Sequence, residues 1–125
     1  MGEYKYAFEN LDVWKESREF VSQIYLETKD FPTEEKFGLC SQMQRAAVSI
    51  VSNIAEGISR KSDKEKVRFL EISYGSLMEV YCQLCIALDL KYFNQIKFNE
   101  YKDTIDKLAN KLNALTRTIN TKIKD

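Results

Sequence analysis

Two long rows of apolar side chains place the strongest constraint on how this chain folds. Within each row, the spacing between successive apolar residues alternates between three and four without a break. The first row comprises Val67, Leu70, Tyr74, Leu77, Tyr81, Leu84 and Leu88, and the second comprises Phe98, Tyr101, Ile105, Leu108, Leu112, Leu115 and Ile119. This spacing is typical of α-helices that share a core through coiled-coil-like packing. The rows therefore predict two long helices packed side by side.

Capping signals divide the chain into four predicted helices. Each helix begins after a side chain that accepts hydrogen bonds from the first helical turn. These N-cap residues are Asn10, Thr33, Ser62 and Asn94. Gly57 is suited to end the second helix because glycine readily adopts the left-handed conformation found at helix ends. The predicted helices therefore cover residues 10–29, 33–57, 62–90 and 94–121.

Short connections between such helices favour antiparallel neighbours. With 125 residues, the chain has the size of one domain, and its single Pro and four Gly leave few residues suited to turns. We therefore expect one all-α domain over residues 1–125, folded as an antiparallel up-down-up-down four-helix bundle.

The cellular location of the protein is predicted from the absence of membrane-spanning and signal segments in the sequence. No apolar run approaches the roughly 18 residues of a membrane span, and residues 1–10 have no hydrophobic signal core. The three cysteines are Cys40, Cys82 and Cys85, an odd number within helical patterns that is best explained by buried free thiols in a reducing cytosol. We therefore expect a cytoplasmic protein without a membrane partner.

The predicted second and third helices carry more apolar and small side chains than one core face requires. Those of the second helix spread over about 200° of its circumference, whereas one core-facing side needs a little over 100°. The third helix has a second row beside its main one, formed by Phe69, Ser76, Val80 and Ala87. It also contains a glycine, Gly75, at a cost of about 1 kcal/mol relative to Ala, which suggests close approach of another backbone.

These surplus surfaces predict a second packing partner, most simply another copy of the chain. The predicted interface comprises Gln42, Arg45, Ala46, Ser49, Asn53, Glu56, Gly75, Ser76 and Glu79. Its polar stripe of Arg45, Ser49, Asn53 and Glu56 is expected to be a half-buried network that fixes register. Ser49→Leu or Ala47→Leu should then break assembly before it unfolds the bundle. The alternative is that the extra apolar residues cover the interior of an irregular monomer.

The net charge is zero, with 19 basic and 19 acidic residues, which disfavours general nucleic-acid binding. One local segment is nevertheless basic and opens the third predicted helix, where backbone amides also favour phosphate. Its candidate nucleic-acid contacts are Arg60, Lys61, Lys64, Lys66 and Arg68. The alternative is an ordinary solvated loop and helix start. Repeated around a symmetric ring, the segment would become a basic belt.

Few residues suit catalysis. The chain has no histidine, which removes the commonest general base and metal ligand. Glu56 and Glu79 are a candidate carboxylate pair for metal or phosphodiester chemistry, and the alternative is that each pairs with Arg45. Cys82 and Cys85 form a C-x-x-C within a helix, without the second pair that a zinc site requires. We therefore predict that the protein is not an enzyme and has no cofactor.

Three segments resemble, in order and spacing, the signature blocks of one small bacterial family. They are FENLDVWKESREFV, FPTEEKFGLCSQMQRAAVSIVSNIAEG and FLEISYGSLMEVYCQL. The family is the four helix bundle protein family, also called the 23S rRNA-intervening-sequence or S23 family, and the resemblance covers about residues 8–93. It implies a four-helix bundle that assembles as a homopentamer around a central axis. A related branch, the accessory variability determinant of diversity-generating retroelements, binds nucleic acid through basic surfaces and partners a reverse transcriptase.

Together these observations predict a non-enzymatic, self-assembling scaffold or adaptor, with a pentamer favoured. Its expected partners are other copies of itself and either RNA or DNA or a nucleic-acid-handling protein. The alternative function is a direct RNA- or DNA-binding accessory protein that uses the basic belt on the oligomer.

Overall fold

The computed structural model describes residues 5–123 and contains four α-helices. They are α1 (Asp12–Thr28), α2 (Leu39–Ile58), α3 (Asp63–Asp89) and α4 (Gln95–Asn120), with short 3-10 helices at Ala7–Asn10 and Thr33–Glu35. No strand occurs within this range. Each helix packs on its neighbour in sequence, and α1 also contacts α4. The predicted all-α four-helix bundle is confirmed.

The two apolar rows lie where their spacing predicts. Leu70, Leu77 and Leu84 of α3 are fully buried, and Leu108 and Leu112 of α4 are each 1% exposed. Burial of each such side chain contributes about 1.5–3 kcal/mol. Cross-helix contacts also show the antiparallel arrangement, because Tyr101 near the start of α4 bonds Glu27 near the end of α1. No helix among the described residues combines the length and apolar character needed to cross a bilayer.

The start of α2 differs from the prediction. Thr33 begins a 3-10 turn, and the α-helix starts six residues later, at Leu39. The Glu35 carboxylate accepts a hydrogen bond from the Leu39 amide at 3.1 Å, which fills the role predicted for Thr33. By contrast, Asn94 and Ser62 accept from the first turns of α4 and α3 as expected.

The α1–α2 connection is held to the α3–α4 connection by a hydrogen bond between side chains far apart in sequence. The Tyr92 hydroxyl donates to the second oxygen of Glu35 at 2.7 Å. This bond lowers the pKa of Glu35 and raises the pKa of Tyr92 to about 12. Phe31 packs on Tyr92 beside this bond, with the ring centroids 5.3 Å apart. Glu35 therefore organises the start of α2 because a distant residue holds it there.

Gly57 has a different role from the helix end predicted for it. It lies inside α2, which continues to Ile58, and it is buried. A Cβ atom at this position would lie 2.9 Å from the Cβ of Phe69 and 3.2 Å from the Lys66 carbonyl oxygen. Gly57 therefore allows close approach of α2 to α3.

We expect Gly57→Ala to lower the free energy of unfolding by about 1–3 kcal/mol, because the added methyl group has no room. Gly75→Ala is the matched control, since no other helix of the described chain brings a heavy atom within 4 Å of its added Cβ. The control should raise the free energy by up to about 1 kcal/mol through helix propensity. Urea denaturation followed by circular dichroism, at matched association state, measures both, and equal effects of the two substitutions would contradict the assignment.

The Tyr92–Glu35 bond predicts a loss of stability at alkaline pH. The pKa of Tyr92 rises from its usual 10.0 to about 12 on folding, so its contribution is complete below pH 10 and is lost between these values. Tyr92→Phe should therefore reduce the fall in unfolding free energy between pH about 10 and about 12. The exposed Tyr25 provides the control Tyr25→Phe, which should behave as wild type. An unchanged fall in Tyr92→Phe would refute this role.

Candidate interface on helices α2 and α3

The residues predicted as an interface differ widely in exposure. Ala46 and Ser76 are buried between α2 and α3, and Ser49 and Asn53 are half-buried. The remaining five are exposed, namely Gln42, Arg45, Glu56, Gly75 and Glu79. The predicted set therefore lies partly inside the contact between two helices of one chain and partly on its surface.

Ser49, Asn53 and Ser76 form a hydrogen-bonded cluster across the α2–α3 contact. The hydroxyl oxygens of Ser49 and Ser76 are 2.8 Å apart. The Asn53 amide donates to the Ser49 hydroxyl at 3.0 Å and to the Ser49 carbonyl at 2.8 Å. Deeper in the same contact, Ser73 donates to the Ile50 carbonyl at 2.8 Å. The Ser49–Ser76 and Ser73–Ile50 bonds fix the register of α3 on α2, because each requires one specific pairing, and Asn53 holds Ser49 from within α2.

Two members of the predicted polar network lie outside this cluster. Glu56 pairs with Arg60 one helical turn away, at 2.9 Å, and both side chains are exposed. Arg45 is exposed on the solvent side of α2. An exposed ion pair such as Glu56–Arg60 contributes about 0–1 kcal/mol to the free energy of unfolding. Of the four residues predicted to form the polar stripe, only Ser49 and Asn53 therefore belong to the half-buried cluster.

Much of the surplus apolar surface is used inside the monomer. Val80 and Ala87, in the second row of α3, are fully buried, as are Ala46 and Ala47 of α2. This part of the surplus agrees with the alternative in which extra apolar residues cover the interior of one chain. It also changes one proposed test, because Ala47→Leu would overpack the core directly.

A third row of α3 was not recognised from the sequence and remains on the surface. Its members are spaced alternately three and four residues apart, and they are Ile72, Gly75, Glu79, Cys82 and Ile86. All five are exposed, Ile72 by 41% and Ile86 by 44%. The alternating spacing of three and four residues, which also marks the core rows, could have revealed this row in the sequence. We call this row, with the neighbouring Arg45, Ser49 and Asn53 of α2, the outer face.

Gly75 lies at the centre of this row. Apart from its chain neighbours and the nearby backbone of α3 itself, no heavy atom among residues 5–123 comes within 4 Å of the position that a Cβ would occupy there. The close backbone approach expected at Gly75 therefore does not come from a neighbouring helix of the same chain.

The basic segment lies at the α2–α3 end of the bundle. The Arg60 guanidinium is 4.6 Å from the centroid of the Phe69 ring, in addition to its pair with Glu56. Lys61, Lys64 and Arg68 are exposed, and Lys66 is half-buried. The segment thus offers three exposed cations and one arginine whose charge is already engaged.

The geometry separates the two carboxylates that were considered for chemistry. The Ser49–Ser76 contact places Glu79 opposite Ala46, ten residues along α2 from Glu56. At 1.5 Å per residue, this separates them by about 15 Å along the helix. Glu79 instead accepts a hydrogen bond from Gln83 at 3.3 Å. The carboxylate-pair hypothesis is therefore wrong.

The described part of the chain shows no cluster of metal-binding side chains. No group of three or more His, Cys, Asp or Glu side chains there is arranged to hold a metal ion. Cys40, Cys82 and Cys85 are free thiols, but the prediction that all three are buried is wrong, because Cys82 is exposed and Cys85 is half-buried on the surface of α3.

Comparison with known families gives a match over residues 9–114 to the model of the 23S rRNA-intervening sequence protein family. The chain belongs to this family. The predicted resemblance is confirmed, and it extends into α4, beyond the segments that suggested it. Among curated proteins, no match is found.

A solved structure from this family has the same fold. It is a protein of unknown function from the S23 ribosomal protein family of Bacteroides thetaiotaomicron VPI-5482, with 22% identity and a TM-score of 0.78. The match covers 84% of this chain and 95% of that one. At this identity the likeness establishes the four-helix architecture.

Proposed function

We propose that this family member is a non-enzymatic helical-bundle scaffold or adaptor that assembles with copies of itself through the outer face. The observation that carries the proposal is the open space at Gly75. A glycine within a helix costs about 1 kcal/mol relative to Ala, and its usual benefit is room for a neighbouring backbone. Because no helix of its own chain uses that room, a second copy is the occupant we propose.

The side chains around Gly75 suit such a contact. Ile72 and Ile86 lie about one and three helical turns from it, both more than 40% exposed. Covering them would remove apolar surface from water at about 25 cal/mol per Å². The apolar part of the face therefore favours association with another apolar surface.

Opposite charges on the outer face suggest how the copies meet. Arg45 on α2 and Glu79 on α3 are both exposed. If α2 of one copy meets α3 of the next, these charges pair at every contact. A contact between two different surfaces closes into a ring when the rotation between copies allows it. The family resemblance implies that such a ring contains five copies. In this proposal the ring acts in the cytoplasm as an adaptor for nucleic acid or for a nucleic-acid-handling protein.

The first test blocks the outer face without disturbing the core. Gly75→Lys should convert the assembly to monomers in sedimentation velocity at micromolar concentration. Its helicity should not fall, because the site is exposed and lysine favours helix. Asn110→Lys, an equal substitution on the exposed side of α4, should leave the assembly intact. A wild-type monomer at this concentration, or assembly unaffected by Gly75→Lys, would refute the proposal.

Charge reversal tests the arrangement of copies separately. Arg45→Glu and Glu79→Arg should each weaken assembly, because each brings like charges together. The double variant should restore it in part, since the pair is then reversed but complementary. Absence of any recovery would argue against α2-to-α3 contact while leaving self-association open to the first test.

A second candidate function is direct RNA or DNA binding by an accessory protein. The observation that favours it is the cluster of exposed Lys61, Lys64 and Arg68 at one end of the bundle. In a ring these cations recur once per copy and form the basic belt.

Salt dependence distinguishes this second function. Anisotropy of a labelled RNA of about 20 nucleotides should show affinity falling steeply between about 50 and 200 mM salt if phosphate contacts dominate. Replacing Lys61 and Lys64 by Gln should weaken binding and flatten the dependence, whereas Lys107→Gln on α4 should not. A flat response, or no binding at low salt, would eliminate this function.

A further inference from the structure

The α1–α2 connection borders a cavity of about 500 Å³ that is open to solvent on one side, at the end of the bundle opposite the basic segment. Its apolar wall includes Phe31 and Cys40, each 6% exposed, together with Pro32. This volume lies within the range of about 300–1,000 Å³ typical of sites for small organic molecules. The wall is fixed in place, because Phe31 packs against Tyr92, which in turn bonds Glu35.

The charged side chains that line the cavity are all basic. Of the ten residues that line it, Lys29 and Lys36 are basic and none is acidic. Three carboxylates lie nearby in sequence without lining the pocket: Glu35 bonds Tyr92 and the Leu39 amide, Asp30 lines a separate hollow beside α4, and Glu34 is exposed to solvent. In a chain with equal numbers of acidic and basic residues, this local excess of two positive charges favours an anion.

The first turn of α2 borders the same pocket through Cys40 and Ser41. The Leu39 amide bonds Glu35 and the Gln42 amide bonds the Gly38 carbonyl. The amides of Cys40 and Ser41 lie between these two, at the start of the helix, where backbone N–H groups have no acceptor within the helix. The positive end of the helix dipole reinforces the two lysines.

The rim carries an aromatic side chain with little covering it. Phe37 is 89% exposed, and the Lys36 ammonium lies 5.5 Å from the centroid of its ring. An exposed ring next to an apolar wall is suited to packing on the body of a bound molecule.

We propose that this cavity binds a small organic carboxylate with an aromatic or aliphatic body. The carboxylate lies between Lys29, Lys36 and the amides that begin α2, and the apolar body packs on Phe31, Pro32 and Phe37. Binding is non-covalent, because burial raises the pKa of the Cys40 thiol, which also donates to the Thr28 carbonyl at 3.5 Å. The site is independent of the outer face and of self-assembly.

A matched pair of probes tests this proposal by NMR. Phenylpropionate titrated to millimolar concentration should produce saturable shifts in the ¹⁵N–¹H signals of Cys40 and Ser41. Phenylpropionamide, with the same body but no charge, should bind at least about threefold more weakly, as expected for loss of partly exposed ion pairs.

Variants of the exposed lysines complete the test without altering the core. Lys29→Gln and Lys36→Gln should each weaken phenylpropionate binding about threefold, and the double variant about tenfold. Lys107→Gln, an equal change on α4, should have no effect. Equal binding of the two probes, or shifts located away from the α1–α2 connection, would overturn the proposal. Sedimentation of the same variants should match wild type, which keeps this result separate from the test of assembly.

Discussion

Close contact between α2 and α3 is the interaction on which the rest of the structure depends. Gly57 lets the backbones approach, and Ser49 and Ser76 fix which residues face each other. This register determines that Val80 and Ala87 are covered by α2 while Ile72 and Ile86 remain outside. The outer face therefore results from the pairing of these two helices, and a change in their register would alter which side chains it presents to a second copy.

The long helices were predictable because their signals are local. Predicted bounds of 62–90 and 94–121 differ by one residue at each end from α3 and α4. The hydrogen bonds to Ser62 and Asn94 join residues three apart, so neighbouring sequence contains all the information. The start of α2 was not predictable in this way, since Glu35 is held by Tyr92, 57 positions away.

The candidate site was predictable only in part, for a geometric reason. Helical periodicity establishes which residues share a side, but not whether the neighbour on that side belongs to the same chain. Gly57 and Gly75 illustrate the limit, because one lies against Phe69 and the other has open space around it. Likewise, Asn53 and Arg45 share a stripe in sequence, yet Asn53 bonds Ser49, which reaches Ser76 of α3, whereas Arg45 faces solvent.

The two ends of the bundle differ chemically, and this difference has a consequence for an assembly of parallel copies. The basic segment and the cavity lie at opposite ends of α3, whose 27 residues span about 40 Å. A ring built around an axis parallel to the helices would then have a cationic rim on one side and a rim of ligand cavities on the other. The two sides of such a ring would differ chemically, so two different partners could bind to opposite sides at the same time.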